Sequence, residues 1–538
     1  MPRREDYQGA ARGIAAYLAE RQRPEGGFPG PDNYGVACAL WLWSYFGVEF
    51  ARQIDRAWQR LKDDPPQSHG EFNIYALLHC RERLGEGPVE ALLRRIRPGA
   101  RHSANWMLLR AACDIGQRGL PASLLGAIEG RAALLRYARR GFIWDRPQVR
   151  SLGYHAFCGA LLADLWDRQR VRWAGKAAVR AARFVAPLVL PNGDALYVGR
   201  GQEQIFGYGA LLYLVEAAAG MTGESEFVEL GERVFGRLMS FQRKDGSFPL
   251  VLREGEEAEP WMPDAARPGW YRYSTYGDYL PFLGCMLLKA AEVVARPLRV
   301  ARPLRVAPPL REAPPLREAP PVPVAPPLPV APPLPEVVSS GPHADFLVAR
   351  REKYTAVLAR PGGAPTNDLP FPYVCVDGES LFPCYGVEGD RVKPGEIPLP
   401  YGVLGGGREY GFRDRLRYRM TDDGLEGESR LVRHVRRFEF FDDGFDCRDE
   451  ITFRRPVAFE SFVSANFLFR TLRDIVAPVF ETWHRKARAM LEMDPPGTVH
   501  PDAAVTASGT LVALRHQVEG FQAKAGERVS GRLKVRFA

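Results

Sequence analysis

Polar and aromatic clusters recur through the N-terminal half of the chain, each at the head of an apolar run. They read DNYGVACALW from Asp32, GEFNIYALL from Gly70, HSANWMLLRAA from His102, SLGYHAFCGALL from Ser151, GQEQIFGYGALLY from Gly201 and YSTYGDYLPFLGCMLL from Tyr273. The side chains they gather are Asn33, Tyr34, Glu71, Asn73, Asn105, Trp106, Tyr154, His155, Gln202, Gln204, Tyr208, Tyr273, Tyr276 and Asp278, with Arg200 just ahead of the fifth cluster. Aromatic faces beside amides and carboxylates suit sugar rings, which present apolar faces and hydroxyl edges. If the clusters open helices, the spare N–H groups and positive partial charge of the helix starts suit an anion. The chemistry indicated is recognition of a carbohydrate, and of an acidic one in particular.

Twelve helical segments must position these groups. They begin near Asp6, Asn33, Phe50, Glu71, Pro88, Ser103, Pro121, Leu152, Val171, Gln202, Glu224 and Ser274. Their apolar residues recur at helical spacing, and Gly, Pro, Asn or Asp marks many of the boundaries. Two echoes, QRPEGGF at Gln22 and QRKDGSF at Gln242, follow odd-numbered segments and point to an internal repeat. The even segments carry the clusters; the odd ones are more charged, as in VRWAGKAAVRAARF. A closed ring of six hairpins accounts for the contrast, with even helices inside, odd helices outside and all six clusters at one mouth. Gly207 and Gly209 let inner helices approach closely. The expected fold is an (α/α)6 toroid over residues 1–295.

From Arg296 seven proline-rich hexapeptides run to Val337. Proline at that density excludes helix and central strand, leaving a polyproline spacer. Its PxxP content makes it a possible site for a protein partner. Beyond it the hydrophobic period changes to two: LRYRM, SRLVRHV, RFEFF, FDCRDEITF and VAFESFV read as strands. The DDG triplets at Asp422 and Asp442 read as hairpin turns. Residues 338–538 are expected to form an antiparallel β-sandwich.

Bulk properties narrow the function classes. Hydrophobic residues make up 46% of the 538 and charged residues 25%, a globular balance. The net charge of +9 rests on scattered arginines, with lysine only 9 of the 73 basic residues, and no nucleic-acid motif accompanies it. No cysteine pair has CxxC spacing, and the histidines show no zinc-ligand spacing, so reduced core thiols and no cofactor are expected. The first residues lack the apolar core of a secretory signal, and no apolar run is long enough to span a bilayer. A cytoplasmic protein without membrane or nucleic-acid partners is the expectation.

A helical toroid followed by a β-sandwich resembles the polysaccharide lyases of the heparinase II/III, alginate-lyase and chondroitin AC lyase type. SANW at Ser103 is similar to the helix start where those lyases hold a carboxylate-neutralising Asn, and GYH at Gly153 to their Tyr and His region. The resemblance implies β-elimination on a uronic acid. Asn105, helped by Gln202, Gln204 or Arg200, would neutralise the substrate carboxylate. Tyr154 or His155 would exchange protons, with Tyr208 and Tyr276 as alternates. Adjacent helical residues point about 100° apart, so Tyr154 and His155 do not both face a substrate.

Two other readings stand beside the lyase. A toroidal glycoside hydrolase would draw a carboxylate pair from Glu71, Glu203, Asp278 and Asp32. A non-catalytic carbohydrate-binding or assembly protein would keep the aromatics without a proton-transfer group at the sugar.

Overall fold

The computed structural model describes residues 2–99, 103–117, 119–146, 149–252, 259–264, 267, 270–271, 273–296, 337–338, 345–361, 369–382, 393–476, 478–506 and 509–538. The proline-rich hexapeptides, apart from their first and last residues, lie outside the described residues.

The helices are α1 (Arg4–Arg21), α2 (Gly35–Phe46), α3 (Ala51–Asp63), α4 (Gly70–Leu84), α5 (Glu86–Leu93), α6 (Ala104–Gly116), α7 (Leu120–Tyr137), α8 (Leu152–Gln169), α9 (Arg172–Val185), α10 (Ile205–Thr222), α11 (Ser225–Met239) and α12 (Tyr276–Val294). The even helices pack in the cyclic order α2, α4, α6, α8, α10, α12 and back to α2, closing a ring. Burial follows from that position. α10 buries every residue from Ile205 to Ala219, whereas the outer helix α3 buries only Ala57 and Leu61. Close approach depends on missing side chains. A Cβ on Gly207 would come within 3.2 Å of the Gly153 backbone in α8, and one on Gly209 within 3.1 Å of Met286 in α12.

The two sequence echoes fold into the same turn. The amide of Arg23 bonds the carbonyl of Gly27 and that of Gly26 bonds Arg23; Arg243, Ser247 and Gly246 repeat the pattern. A third copy, at Leu190–Asp194, carries different residues and escaped the sequence comparison. Each turn needs a positive φ at its glycine: +89° at Gly26, +81° at Gly193 and +86° at Gly246. Each glycine also lies against the next outer helix. Gly26 meets Arg56 of α3, Gly193 meets Arg233 of α11, and Gly246 meets Gly13 of α1, so these turns link α1 to α3, α9 to α11 and α11 back to α1.

C-terminal to the helices the strands pair antiparallel throughout the described residues. An eight-stranded sheet contains the hairpins Arg417–Thr421 with Gly424–Glu428 and Val432–Phe441 with Gly444–Phe453. Both turns fall on the DDG triplets. The segments SRLVRHV and RFEFF, read separately in the sequence, merge into the single strand Val432–Phe441, because no turn residue interrupts them. Five-stranded and six-stranded sheets complete the region. Phe371 joins all three sheets, its ring lying 5.7 Å from Phe445 and 5.2 Å from Phe467.

Helices and sheets pack directly on each other. Tyr373 stacks on Tyr197 at 4.7 Å, the Phe346 ring lies 6.0 Å from Phe184, and buried Arg150 pairs with Asp345 at 3.3 Å. Of the described helices, α10 is long and apolar enough to cross a membrane, and it is enclosed by the toroid.

Candidate functional site

The N-terminal ends of the inner helices surround a cavity of about 600 Å³. Eight of the residues singled out in the sequence line it: Asn33, Tyr34, Asn105, Trp106, Tyr154, Arg200, Tyr273 and Asp278. Six further lining residues were not singled out: His69, Phe72, Ser103, Tyr137, Arg146 and Tyr279. Ser103 stood inside the SANW cluster and Tyr279 one turn from Tyr276, but sequence periodicity does not fix the rotational phase of a helix that is apolar all round.

The α6 start presents the Asn105 amide to the cavity. The Ser103 hydroxyl donates to Oδ1 of Asn105, which commits the carbonyl end and leaves the Nδ2 donors for a ligand. On the next inner helix Ser151 caps α8: its hydroxyl accepts from the Tyr154 amide at 3.2 Å and donates to the Arg200 carbonyl at 2.6 Å. That cap joins Tyr154 to the loop carrying Arg200. The Arg200 guanidinium then lies 4.4 Å from the Tyr154 ring centroid and 5.5 Å from that of Tyr273, and Nη2 bonds buried Asp145 at 2.6 Å. Burial pushes the Tyr154 phenol above its ordinary value, with Arg200 opposing. Tyr273 and Tyr279 are pushed well up by the same cause. These phenols hold their protons at neutral pH.

On the other side of α6, His69 precedes α4 in a left-handed conformation, φ 52° and ψ 38°. For a non-glycine residue this is an uncommon, strained geometry, of the kind that gathers at functional sites. Its ring centroid lies 5.5 Å from Trp106 and 5.9 Å from Tyr34. Tyr34 stacks on Phe72 at 4.4 Å, giving the wall a flat aromatic face.

Asp278 is the carboxylate of the described lining, and it is fully engaged. Its Oδ1 accepts from the amides of Asn33, Tyr34 and Gly35, and its Oδ2 from Asn33 Nδ2 and the Thr275 hydroxyl. A carboxylate from α12 thus caps α2 and closes the rim.

Seven of the residues named from sequence stand apart from the cavity. His155 is wholly buried between α8 and α9: Nδ1 accepts from the Ile143 amide and Nε2 lies 3.1 Å from the Ala181 carbonyl, the pattern of a neutral core histidine. Glu71 receives Arg110 at 3.0 Å and the Gly99 amide at 2.9 Å. Asn73 braces the rim by donating to the Asn33 carbonyl at 2.7 Å. Gln202 donates to the Tyr197 carbonyl, Gln204 to the Ser274 hydroxyl and Tyr276 to the Phe248 carbonyl. The polar entry to α10 therefore knits loops beneath the mouth together, since buried polar groups need partners.

Tyr208 belongs to a second buried cluster, at the junction with the sheets. Its hydroxyl lies 2.9 Å from Asp194 Oδ1 and 2.8 Å from Glu203 Oε2. Tyr373 and Ser380, from the five-stranded sheet, donate to Asp194 Oδ2 at 2.6 and 2.8 Å. Arg237 and these donors hold the Asp194 carboxyl below its usual range, while burial and the Asp194 charge drive Glu203 well up. Among the described residues no cluster of His, Cys, Asp and Glu has the arrangement of a metal site.

No family model matches the sequence, and no curated protein does. Among solved structures, heparinase III is similar over 99% of this chain and 85% of that one, at 9% identity and a TM-score of 0.54. A heparan sulfate lyase HepC mutant from Pedobacter heparinus is similar over 98% of this chain and 82% of its own (11% identity, TM-score 0.35). A glycosyl hydrolase family 88 protein from Bacteroides vulgatus is similar over 54% of this chain and 99% of its own (10% identity, TM-score 0.39). Toroid followed by antiparallel sheets, the chain is similar in fold to heparinase III across nearly its whole length.

Proposed function

We propose that the chain is a carbohydrate-active enzyme that cleaves a uronic-acid-containing glycan by β-elimination in this cavity. The carrying observation is the composition of the wall: free amide donors on Asn105 and the Arg200 charge, beside several protonated phenols and a histidine, with the lining carboxylate consumed as a cap. The proton on C5 of a uronate is weakly acidic until its carboxylate is neutralised. Asn105 Nδ2 and Arg200 would supply that neutralisation and stabilise the enolate-like intermediate.

Ring order supports the assignment of proton carriers. α6, which holds Asn105, lies between α4, preceded by His69, and α8, which bears Tyr154. His69 would remove the C5 proton and Tyr154, kept protonated by burial, would deliver one to the leaving glycosidic oxygen. The C4–O bond breaks, the C4–C5 double bond forms, and no water is consumed. A paired-carboxylate hydrolase would need a second acid facing the sugar, and the described lining offers Asp278 alone.

The test mixes the protein with a panel of uronate polymers and oligosaccharides and follows ultraviolet absorbance and reducing ends together. Both signals rising establishes elimination. Reducing ends without absorbance means hydrolysis, and silence in both with tight binding means a carbohydrate-binding role.

A further inference from the structure

A second surface stands out away from the cavity, on the outer wall. Among the described residues nine large hydrophobic side chains are exposed, and five of them lie on α7: Leu120, Leu124, Leu125, Ile128 and Leu135. Exposure is thus concentrated on one helix, with Leu120 88% and Leu135 79% accessible. At about 100° per residue, the five span an arc of about 140°, wider than the narrow seam of a helix pair. Arg131 lies just inside one edge of that arc and Arg136 just beyond the other, both exposed. Glu129, the acid of α7, turns away to pair with Arg110 at 2.8 Å.

The neighbouring outer helix continues the charge. α7 and α9 touch where Trp173 packs on Gly130, and the turn after α7 rests on Arg180 and Phe184. The outward face of α9 is Arg172, Lys176, Arg180 and Arg183, and the helix contains no acidic residue. Arg183 pairs with Glu224; Arg172, Lys176 and Arg180 have no acidic partner among the described residues.

We propose that the α7–α9 face docks the protein on an anionic membrane surface. The leucines and Ile128 would enter the headgroup boundary, while the flanking arginines and the α9 cations meet lipid phosphates, the arrangement of an interfacial amphipathic helix. A second copy of the chain fits poorly, because a symmetric contact would set this cationic face against itself without acids to offset it. The docking is peripheral and distinct from the enclosed apolar helix α10.

The test floats the full chain with vesicles of phosphatidylcholine alone and of phosphatidylcholine with phosphatidylglycerol, at low and high salt. Binding is expected on the anionic vesicles only, weakening with salt. Leu124→Ser with Ile128→Ser should lower it by roughly tenfold or more. Lys176→Glu with Arg180→Glu should remove the preference for anionic lipid; these exposed changes leave the thermal melt unchanged. Absence of flotation at low salt overturns the proposal, as does flotation that both double variants leave intact. Sedimentation showing a dimer that Leu124→Ser with Ile128→Ser dissociates, without vesicle binding, overturns it in favour of a second copy. Capture of an acidic helical peptide without vesicle binding overturns it in favour of a protein partner.

Discussion

Arg200 lies over the face of Tyr154, its guanidinium carbon 4.4 Å from the ring centroid, while Asp145 holds its Nη2 at 2.6 Å. The guanidinium is thereby fixed from behind and from one side where Arg200 lines the cavity. Arg200→Ala should lower kcat/KM by about 10²-fold or more, the usual loss of one charge-stabilising donor. Asp145→Asn should fall between wild type and that variant, because it keeps the cation but loosens its position. Steady-state kinetics on the substrate found by the panel measures both.

Asn105 and Ser103 separate binding from orientation. Asn105→Ala should reduce turnover by about 10²–10³-fold with the melt unchanged. Ser103→Ala should cost less, since the amide then rotates without losing its donors. Equal rates in wild type and Asn105→Ala would refute the neutralising role.

The two histidines should divide cleanly. His69→Ala should abolish turnover and leave folding intact. His155→Gln should cost about 1–3 kcal/mol of stability through its two buried hydrogen bonds, with turnover per folded molecule unchanged. Thermal melts and active-site-normalised rates distinguish these outcomes, and the reverse pattern would return His155 to the chemistry.

Tyr208 ties the toroid to the sheets, so Tyr208→Phe should act on stability. A loss of about 1–3 kcal/mol is expected, with kcat and KM preserved. The variant should also be cut sooner by protease between helices and sheets, where the hydroxyl no longer serves Asp194.

Glu216 gives a pH-dependent test remote from the cavity. It receives the Tyr7 hydroxyl at 2.6 Å, and burial pushes its carboxyl up to about 7. The unfolded chain ionises at the ordinary glutamate value, so it binds fewer protons than the folded chain between that value and about 7. Stability therefore falls as pH rises through this window. Glu216→Gln removes the ionisation and should raise folding stability more above pH about 8 than at acid pH, by about 3 kcal/mol at most. Parallel shifts at both pH values would exclude the linkage.

Much of this architecture was legible in the residues themselves. Periodicity and punctuation gave twelve helices, the change of period gave the strands, and the DDG triplets gave two hairpins, because these signals are local. The position of the clusters at inner-helix starts was legible too, since polar residues heading an otherwise apolar helix require partners or a cavity. Which side chains enter the cavity was decided only by packing. Tyr154 faces it and His155 the core, a matter of helix rotation that all-round burial leaves unmarked. His69 reaches it through a left-handed backbone, and Tyr208 joins the sheets through Asp194, whose partners Tyr373 and Ser380 lie far along the chain. Local sequence sets each element's form; the rotation of one element against another is a property of the assembled molecule.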